Sequence, residues 1–194
     1  MNESKGLTVL ENFVNTLEQF GIAYAIGGSI ASSIYGNVRF TQDTDITVEA
    51  FDNLAEKLID SLKNEYYISE QAVYQALRQR GSFNAIHIES AFKIDIFIQK
   101  DTAFEKQLIS RRKLLKLSDM LDKSFSVVSP EDIILLKLCW HRDSGYESER
   151  QWNDVLGVLE IQGDRIDFEY LRKWAVILEV SELLDRAISG SKKA

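Results

Sequence analysis

Two aspartates, Asp43 and Asp45, flank a single residue in the run Thr41-Gln42-Asp43-Thr44-Asp45-Ile46-Thr47. On a strand, residues two apart project to the same side, so both carboxylates can address one hard cation. Mg²⁺ favours such a set, one or two carboxylates completed by water and substrate phosphates. An acidic pair alone is common on solvated strand faces. Here other residues add weight. Gly27-Gly28-Ser29 stands between the apolar run Ile22-Ala23-Tyr24-Ala25-Ile26 and a short helical segment. Backbone N–H groups and a hydroxyl at such a junction can hold phosphate. Asp95 lies mid-strand in Lys93-Ile94-Asp95-Ile96-Phe97-Ile98, on the face away from the isoleucines. A carboxylate there is costly to bury without a metal or a donor. Three carboxylates on neighbouring strands, beside a phosphate-holding turn, suit metal-assisted in-line displacement at phosphorus.

The elements that must position these residues follow from periodicity. Leu7, Leu10, Phe13, Val14, Leu17 and Phe20 have helical spacing, and Gly21 stops that helix. Residues 22–26 suit a strand covered on both faces. Ser29 to Ile34 reads as a short helix stopped at Gly36, and Thr44 to Val48 as an alternating strand. Residues 52–62 form a helix; 66–81 suggest a short strand, then a helix ending at Gly81. Residues 83–89 and 92–98 alternate as strands. Aligning their isoleucine faces pairs Glu89 with Lys93, sets His87 across from Asp95 and leaves a three-residue loop. A helix over 103–113 and a strand at 125–128 follow. Ser129-Pro130-Glu131-Asp132 is a helix start, with cap, proline and acid in order. Apolar spacing predicts further helices near 150–161, 168–179 and 181–189. The expected fold is α+β: a small mixed sheet flanked by helices over 1–128, then a helical region, 129–194, packed on that core.

The balance of 30 acidic against 23 basic side chains, net −7, repels nucleic acid unless a local basic patch forms. Lys106 to Lys116, centred on Arg111-Arg112-Lys113, is the candidate, its plain alternative being a solvated helix face. No apolar run approaches the roughly 20 residues of a membrane span. The N-terminus has no signal-peptide pattern. The lone Cys139 gives no disulfide framework, so a cytoplasmic location is expected.

Gly28-Ser29, then Asp43-x-Asp45 and a later strand Asp95, resembles the minimal nucleotidyltransferase superfamily, with its DNA polymerase beta-like fold. The longer pattern Gly27-Gly28-Ser29-x-Ala31-Ser32, Arg39, Thr41-x-Asp43-x-Asp45-Ile46 is similar to bacterial proteins related to AbiEii-type abortive-infection toxins. The resemblance implies an NTP substrate and Mg²⁺ or Mn²⁺. It implies Gly27, Gly28, Ser29, Arg39, Thr41 and Lys137 at the nucleotide, Asp43 and Asp45 on both metals, and Asp95 on one metal and as base. The implied reaction moves a nucleoside monophosphate to a hydroxyl of tRNA, a protein or a small molecule. This chain departs from the pattern at Ile30-Ala31-Ser32, where small soluble members often carry Arg or Lys; Arg39 and Lys137 are the candidates to replace that cation.

Each supporting residue also has a plainer reading. Lys137 is either a phosphate contact or a lysine snorkelling at a helix edge. His87 either supports Asp95 or is satisfied by its own strand. Arg150 and Asp154 form an ordinary i,i+4 pair, or line an acceptor cleft with Trp152. Asp43-Thr44-Asp45-Ile46-Thr47 also spells the motif of haloacid-dehalogenase-type phosphatases, loosely joined by Gly163-Asp164-Arg165-Ile166-Asp167. Those enzymes place the first Asp at the end of an apolar strand, whereas here the apolar residues follow it. An active transferase, or the same fold kept as a binding or regulatory module, are the two readings that remain. The C-terminal helices are expected to close one side of the cleft and to offer a homodimer face.

Overall fold

The structure, a computed structural model, describes residues 3–38, 43–118 and 122–191. In chain order it contains α1 (Glu3–Gln19), β1 (Tyr24–Ile26), α2 (Gly28–Tyr35), β2 (Asp43–Val48), a single 3₁₀ turn at Asp52–Leu54, and α3 (Ala55–Leu62). Then come β3 (Tyr66–Ile68), α4 (Glu70–Gln79), β4 (Ser82–His87), β5 (Lys93–Ile98), α5 (Ala103–Ser110), β6 (Lys113–Lys116) and β7 (Ser124–Val127). Four helices follow: α6 (Pro130–Asp143), α7 (Glu149–Gln162), α8 (Phe168–Ile177) and α9 (Ser181–Ser191). The fold is α+β, as expected, and the chain forms two compact units.

The first unit, Met1–Gly27 with Phe40–Val127, holds the sheet. Among the described residues its seven strands run β3-β4-β5-β2-β1-β7-β6. β1 is buried along its length, pairing antiparallel with β2 and parallel with β7. β2 alternates, with Thr44, Ile46 and Val48 buried and Asp43, Asp45 and Thr47 on the other face. β5 does the same with Ile94, Ile96 and Ile98 inward. Each fully buried isoleucine contributes roughly 1.5–3 kcal/mol, so the core face fixes where the opposite face must sit. Gly21, at φ +66, ends α1, and the Ile22 N–H returns to the Leu17 carbonyl at 2.9 Å, a glycine C-terminal motif. Tyr66 ties β3 to α1 through its hydroxyl, 2.7 Å from the Val9 carbonyl.

Two expectations change in this unit. The β4–β5 register pairs Ile86 with Lys93, Ala85 with Ile94 and Asn84 with Asp95. The core took Phe83 and Ala85 from β4, leaving Ile88 59% exposed. Sequence alternation offered apolar residues on both faces of β4, and the larger cluster under the sheet decided between them. His87 is therefore not opposite Asp95. Its ring meets Tyr66 edge-on at 5.4 Å, and its Nδ1 lies 2.9 Å from the Ser90 hydroxyl. The turn closes with the Ala91 N–H donating to the His87 carbonyl, Ala91 taking φ +55. The helix expected over 103–113 stops at Ser110, and Lys113–Lys116 pairs instead with β7. Leu114 there is 71% exposed, so backbone pairing rather than alternation holds that strand, and sequence pattern could not reveal it.

The second unit is Gly28–Arg39 with Val128–Ala194. It differs from a division at 128/129 by taking α2 in with the C-terminal helices. Its core is Ala31 from α2, Ile134 and Leu138 from α6, Val155 and Leu159 from α7, Leu171 from α8, and Leu184 and Ala187 from α9. Ser129 caps α6 as its sequence predicts, accepting from the Asp132 N–H and donating to the Asp132 carboxylate at 2.8 Å. Gly36 follows α2 at a close backbone approach: a Cβ there would stand 2.8 Å from the Val158 nitrogen. The Gln162 side chain satisfies the Tyr35 carbonyl at the end of α2, at 2.7 Å.

Candidate active site

Parallel pairing of β2 and β5 sets Asp43 beside Lys93 and Asp45 beside Asp95. Paired residues share a face, so the three carboxylates project from one side of two adjacent strands, whose backbones lie about 4.8 Å apart. The alternate positions, Thr44, Ile46, Ile94 and Ile96, are buried on the opposite side and lock this placement. All three predicted aspartates are thus brought to one patch of the first unit. Lys93 completes it. Its ammonium lies 2.8 Å from Asp95 Oδ2. The hydrogen bond to Asp95, reinforced by the fields of Asp95, Asp43 and Asp45 and opposed by partial burial, raises the Lys93 ammonium above the usual lysine range.

The donor chemistry fits a hard divalent cation, since every candidate ligand on the face is a carboxylate oxygen. Among the described residues, however, no three His, Cys, Asp or Glu side chains stand grouped closely enough to hold an ion as placed. Lys93 is the cation that the face now gathers. Its presence was legible, two residues before Asp95 on the same strand, yet the sequence reading gave it no role.

Gly27 ends the first unit with its N–H on the Asp45 carbonyl at 2.8 Å, so this N–H serves the sheet. Gly28, the next residue, starts α2 at φ +56, a conformation that favours glycine. The first N–H groups of a helix have no partner within it, so the turn offers donors where the helix dipole favours an anion. Ser29 is buried and its hydroxyl accepts a 2.7 Å hydrogen bond from Arg150 Nη2. Arg150 stands in the first turn of α7, 121 residues along the chain, and no local spacing links the two.

Lys137 and Asp154 form a pair 2.7 Å apart, with side chains 2% and 7% exposed. Lys137 is therefore no snorkelling lysine, and its ammonium also lies 5.4 Å from the centre of the Trp140 ring. Asp154 turns to α6 and Arg150 to α2, so the i,i+4 pair expected between them within α7 is replaced by two longer-range contacts. The Trp152 ring lies tilted against His141, 5.4 Å between ring centres, with the Arg186 guanidinium over the Trp152 ring. Arg39 and Thr41 lie outside the described residues. The basic stretch 106–116 is not one helix face. It runs from α5 into β6, with Lys106 on Asp101, Lys116 on Asp122, and Arg112 bonded to the Ile109 carbonyl. Asp167, which resembled a phosphatase acid, caps α8 by accepting from the Tyr170 N–H.

No protein-family model matches the chain, and the search of curated proteins gives no match. Solved structures do match. An antigenic nucleotidyltransferase-like protein from Paracoccidioides brasiliensis aligns over 97% of this chain and 94% of its own, with 16% identity and a TM-score of 0.59. The antibiotic-resistance factor ANT(2'')-Ia covers 96% and 97%, with 15% identity and a TM-score of 0.61. The lincosamide antibiotic adenylyltransferase LnuA, solved with lincomycin bound, covers 81% and 96%, with 19% identity and a TM-score of 0.52. This chain has the nucleotidyltransferase fold. Among the described residues no helix is long and apolar enough to cross a membrane.

Proposed function

We propose that this protein is a metal-dependent nucleotidyltransferase, moving a nucleoside monophosphate from an NTP to a hydroxyl acceptor. The observation that carries the reading is the shared face of Asp43, Asp45 and Asp95, fixed by the β2–β5 register. Asp43, Asp45 and Asp95 would hold Mg²⁺ or Mn²⁺. A divalent ion, when bound there, supplies charge neutralisation to the phosphates. Asp95 takes the proton of the acceptor hydroxyl, whose oxygen bonds to the α-phosphorus as the bond to the pyrophosphate oxygen breaks. The triphosphate falls to the N–H groups of Gly28 and Ser29, with Gly27, Arg39, Thr41 and Lys137 as further nucleotide residues. Arg150, held on the Ser29 hydroxyl, supplies the cation that Ile30-Ala31-Ser32 does not.

The finer parts of the proposal are kinship with AbiEii-type toxins, a toxin role, a cytoplasmic location and a homodimer. The kinship rests on the Gly27–Ser32 and Thr41–Ile46 motifs; light scattering tests the dimer. The acceptor belongs to one of three classes: tRNA, a protein or a small molecule. The test is incubation of purified protein with each labelled NTP, Mg²⁺ and cell extract, beside Asp43→Asn and Asp95→Asn. A labelled product lost by at least about a hundredfold in both variants is expected, in line with the loss of a general base or a charge-stabilising group. Labelling indifferent to both carboxylates would remove the reading. A second reading, a binding module that keeps the fold without transfer, draws on Lys93, which already neutralises Asp95 at 2.8 Å. It predicts NTP binding with no labelled product.

A further inference from the structure

The side of the sheet that carries the carboxylates also carries an apolar wing, which the proposed chemistry does not use. Tyr67 pairs with Ile86 across β3 and β4, Ile86 with Lys93 across β4 and β5, and Lys93 with Asp43 across β5 and β2. Paired residues share a face, so these four side chains form one row from the edge strand to the carboxylates. The residues beside them in sequence turn to the other side. Tyr66 reaches the Val9 carbonyl at 2.7 Å, and His87 meets the Tyr66 ring edge-on. Period two then holds Tyr67 and Ile86 outward. Ile88 follows just past the strand, pinned by its N–H on the Glu65 carbonyl at 2.9 Å. Tyr67 is 66% exposed and Ile88 59%, so two large apolar side chains lie open to water.

They line a hollow of about 560 Å³, together with Ile86, Ala91 and Lys63. Small-molecule sites occupy roughly 300–1,000 Å³, so the volume suits one. With strands about 4.8 Å apart, the Tyr67 backbone stands about 10 Å from that of Lys93 and about 14 Å from that of Asp43. A compound of that length reaches from the hollow to the carboxylates. The lining does not suit a nucleic acid, which needs cations free to meet its phosphates. Lys63 is held on Asp60 at 2.8 Å, and Lys93, further along the row, on Asp95 at 2.8 Å. What the hollow offers is apolar surface beside an aromatic ring, which takes a flat or branched apolar group.

Resting on the transferase reading above, we infer that this hollow is the acceptor subsite and that the acceptor is a small amphipathic hydroxyl compound. Its apolar group lies on Tyr67, Ile86 and Ile88, and its hydroxyl extends along the row to the carboxylates. The hollow sets affinity for the acceptor and takes no part in bond making.

The hollow is tested first without turnover, with the uncharged fluorophore N-phenyl-1-naphthylamine, whose emission rises in apolar surroundings. Wild type is compared with Tyr67→Ala, Tyr67→Phe, Ile88→Ser and, at the far edge of the sheet, Leu114→Ala, each checked for folding by its melting curve. Tyr67→Ala and Ile88→Ser are expected to weaken binding about tenfold, as the loss of one large apolar contact implies. Tyr67→Phe and Leu114→Ala stay near wild type. The acceptor is then sought by splitting cell extract at low molecular mass and incubating each fraction with labelled NTP and Mg²⁺. Labelled product is expected from the small-molecule fraction, resistant to ribonuclease and protease. Tyr67→Ala and Ile88→Ser need about ten times more of that fraction for half-maximal rate, while the maximal rate holds. Fluorophore binding that is absent or unchanged in both variants, or small-molecule labelling unchanged in both, would overturn the subsite and leave transfer standing. Product confined to a ribonuclease- or protease-sensitive fraction would overturn the substrate class. A dimer in light scattering that Tyr67→Ala splits would make the hollow an interface between copies, and the subsite would fall. No product from any fraction removes the transferase reading, and the acceptor assignment with it.

Discussion

Lys137 and Asp154 show how a single residue pair can answer to stability before function. Both are buried, 2.7 Å apart, so each has given up water for the other. Removing one partner from such a pair strands the other charge, at a cost of about 3–5 kcal/mol, whereas replacing both with apolar groups of similar volume is close to neutral. Lys137→Met alone is therefore expected to lower unfolding free energy in urea by about 3–5 kcal/mol, and Lys137→Met with Asp154→Leu to recover all but about 1 kcal/mol. A single variant as stable as wild type would mean that the pair is not desolvated as its geometry indicates. The comparison also protects the functional assignment, because activity lost in Lys137→Met and not regained in the stable double variant belongs to the ammonium itself. At this scale the aspartates were readable because strand alternation is a rule of period two, and Asp43, Asp45 and Asp95 each sit at a definite phase of it. The contacts of Arg150 with Ser29 and of Lys137 with Asp154 were not. They join separate elements, and no spacing within one helix encodes them.

Between elements, a tight backbone constraint in the second unit is the approach of α2 to α7 at Gly36. A Cβ on Gly36 would meet the Val158 nitrogen at 2.8 Å and the Gly157 carbon at 2.9 Å, both backbone atoms that no rotamer change can move aside. Gly36→Ala is expected to destabilise by about 1–3 kcal/mol, the range for forced overpacking. The comparison variant is Gly145→Ala, where φ is +71 and nothing stands within 4 Å. That change carries only the cost of a left-handed alanine, roughly 1 kcal/mol. Equal melting of Gly36→Ala and wild type would show that α2 has room to move away from α7. Sequence reading placed Gly36 as a helix stop, which it is, but the reason lies in the neighbouring backbone and not in its own φ. The sheet divides in the same manner. Ile94, Ile96 and Ile98 announce β5 and its buried face, whereas the β4 stretch offers apolar groups on both faces, Phe83 and Ala85 on one and Ile86 on the other, followed by Ile88 just past the strand. Register there depends on which set the rest of the molecule covers, and that is not a local property.

For the whole molecule, the hydrophobic patterning gave the α+β class, while the partition of the chain followed contacts that no composition shift marks. Gly28–Arg39 is interrupted from the first unit's sequence and belongs to the second. Gly28, Ser29, Ala31, Ser32 and Tyr35 of α2 are buried. Their partners include Arg150 on Ser29 and Gln162 on the Tyr35 carbonyl, both from α7. A chain ending at Val127 would therefore keep every described strand of the sheet but leave α2 without the helices that cover it. Such a chain is expected to expose the apolar face of α2, associate, and melt with lower cooperativity than the full protein. Replacing Gly28–Arg39 with a short Gly-Ser turn should restore a cooperative transition, because β1 and β2 are antiparallel neighbours, Ile26 beside Ile46, and a tight connection can join them. Calorimetry and hydrogen exchange read the two outcomes separately. If the chain ending at Val127 melts cooperatively, with the amides of 29–35 still protected, α2 is held by the sheet unit, and the partition at Gly27/Gly28 is wrong.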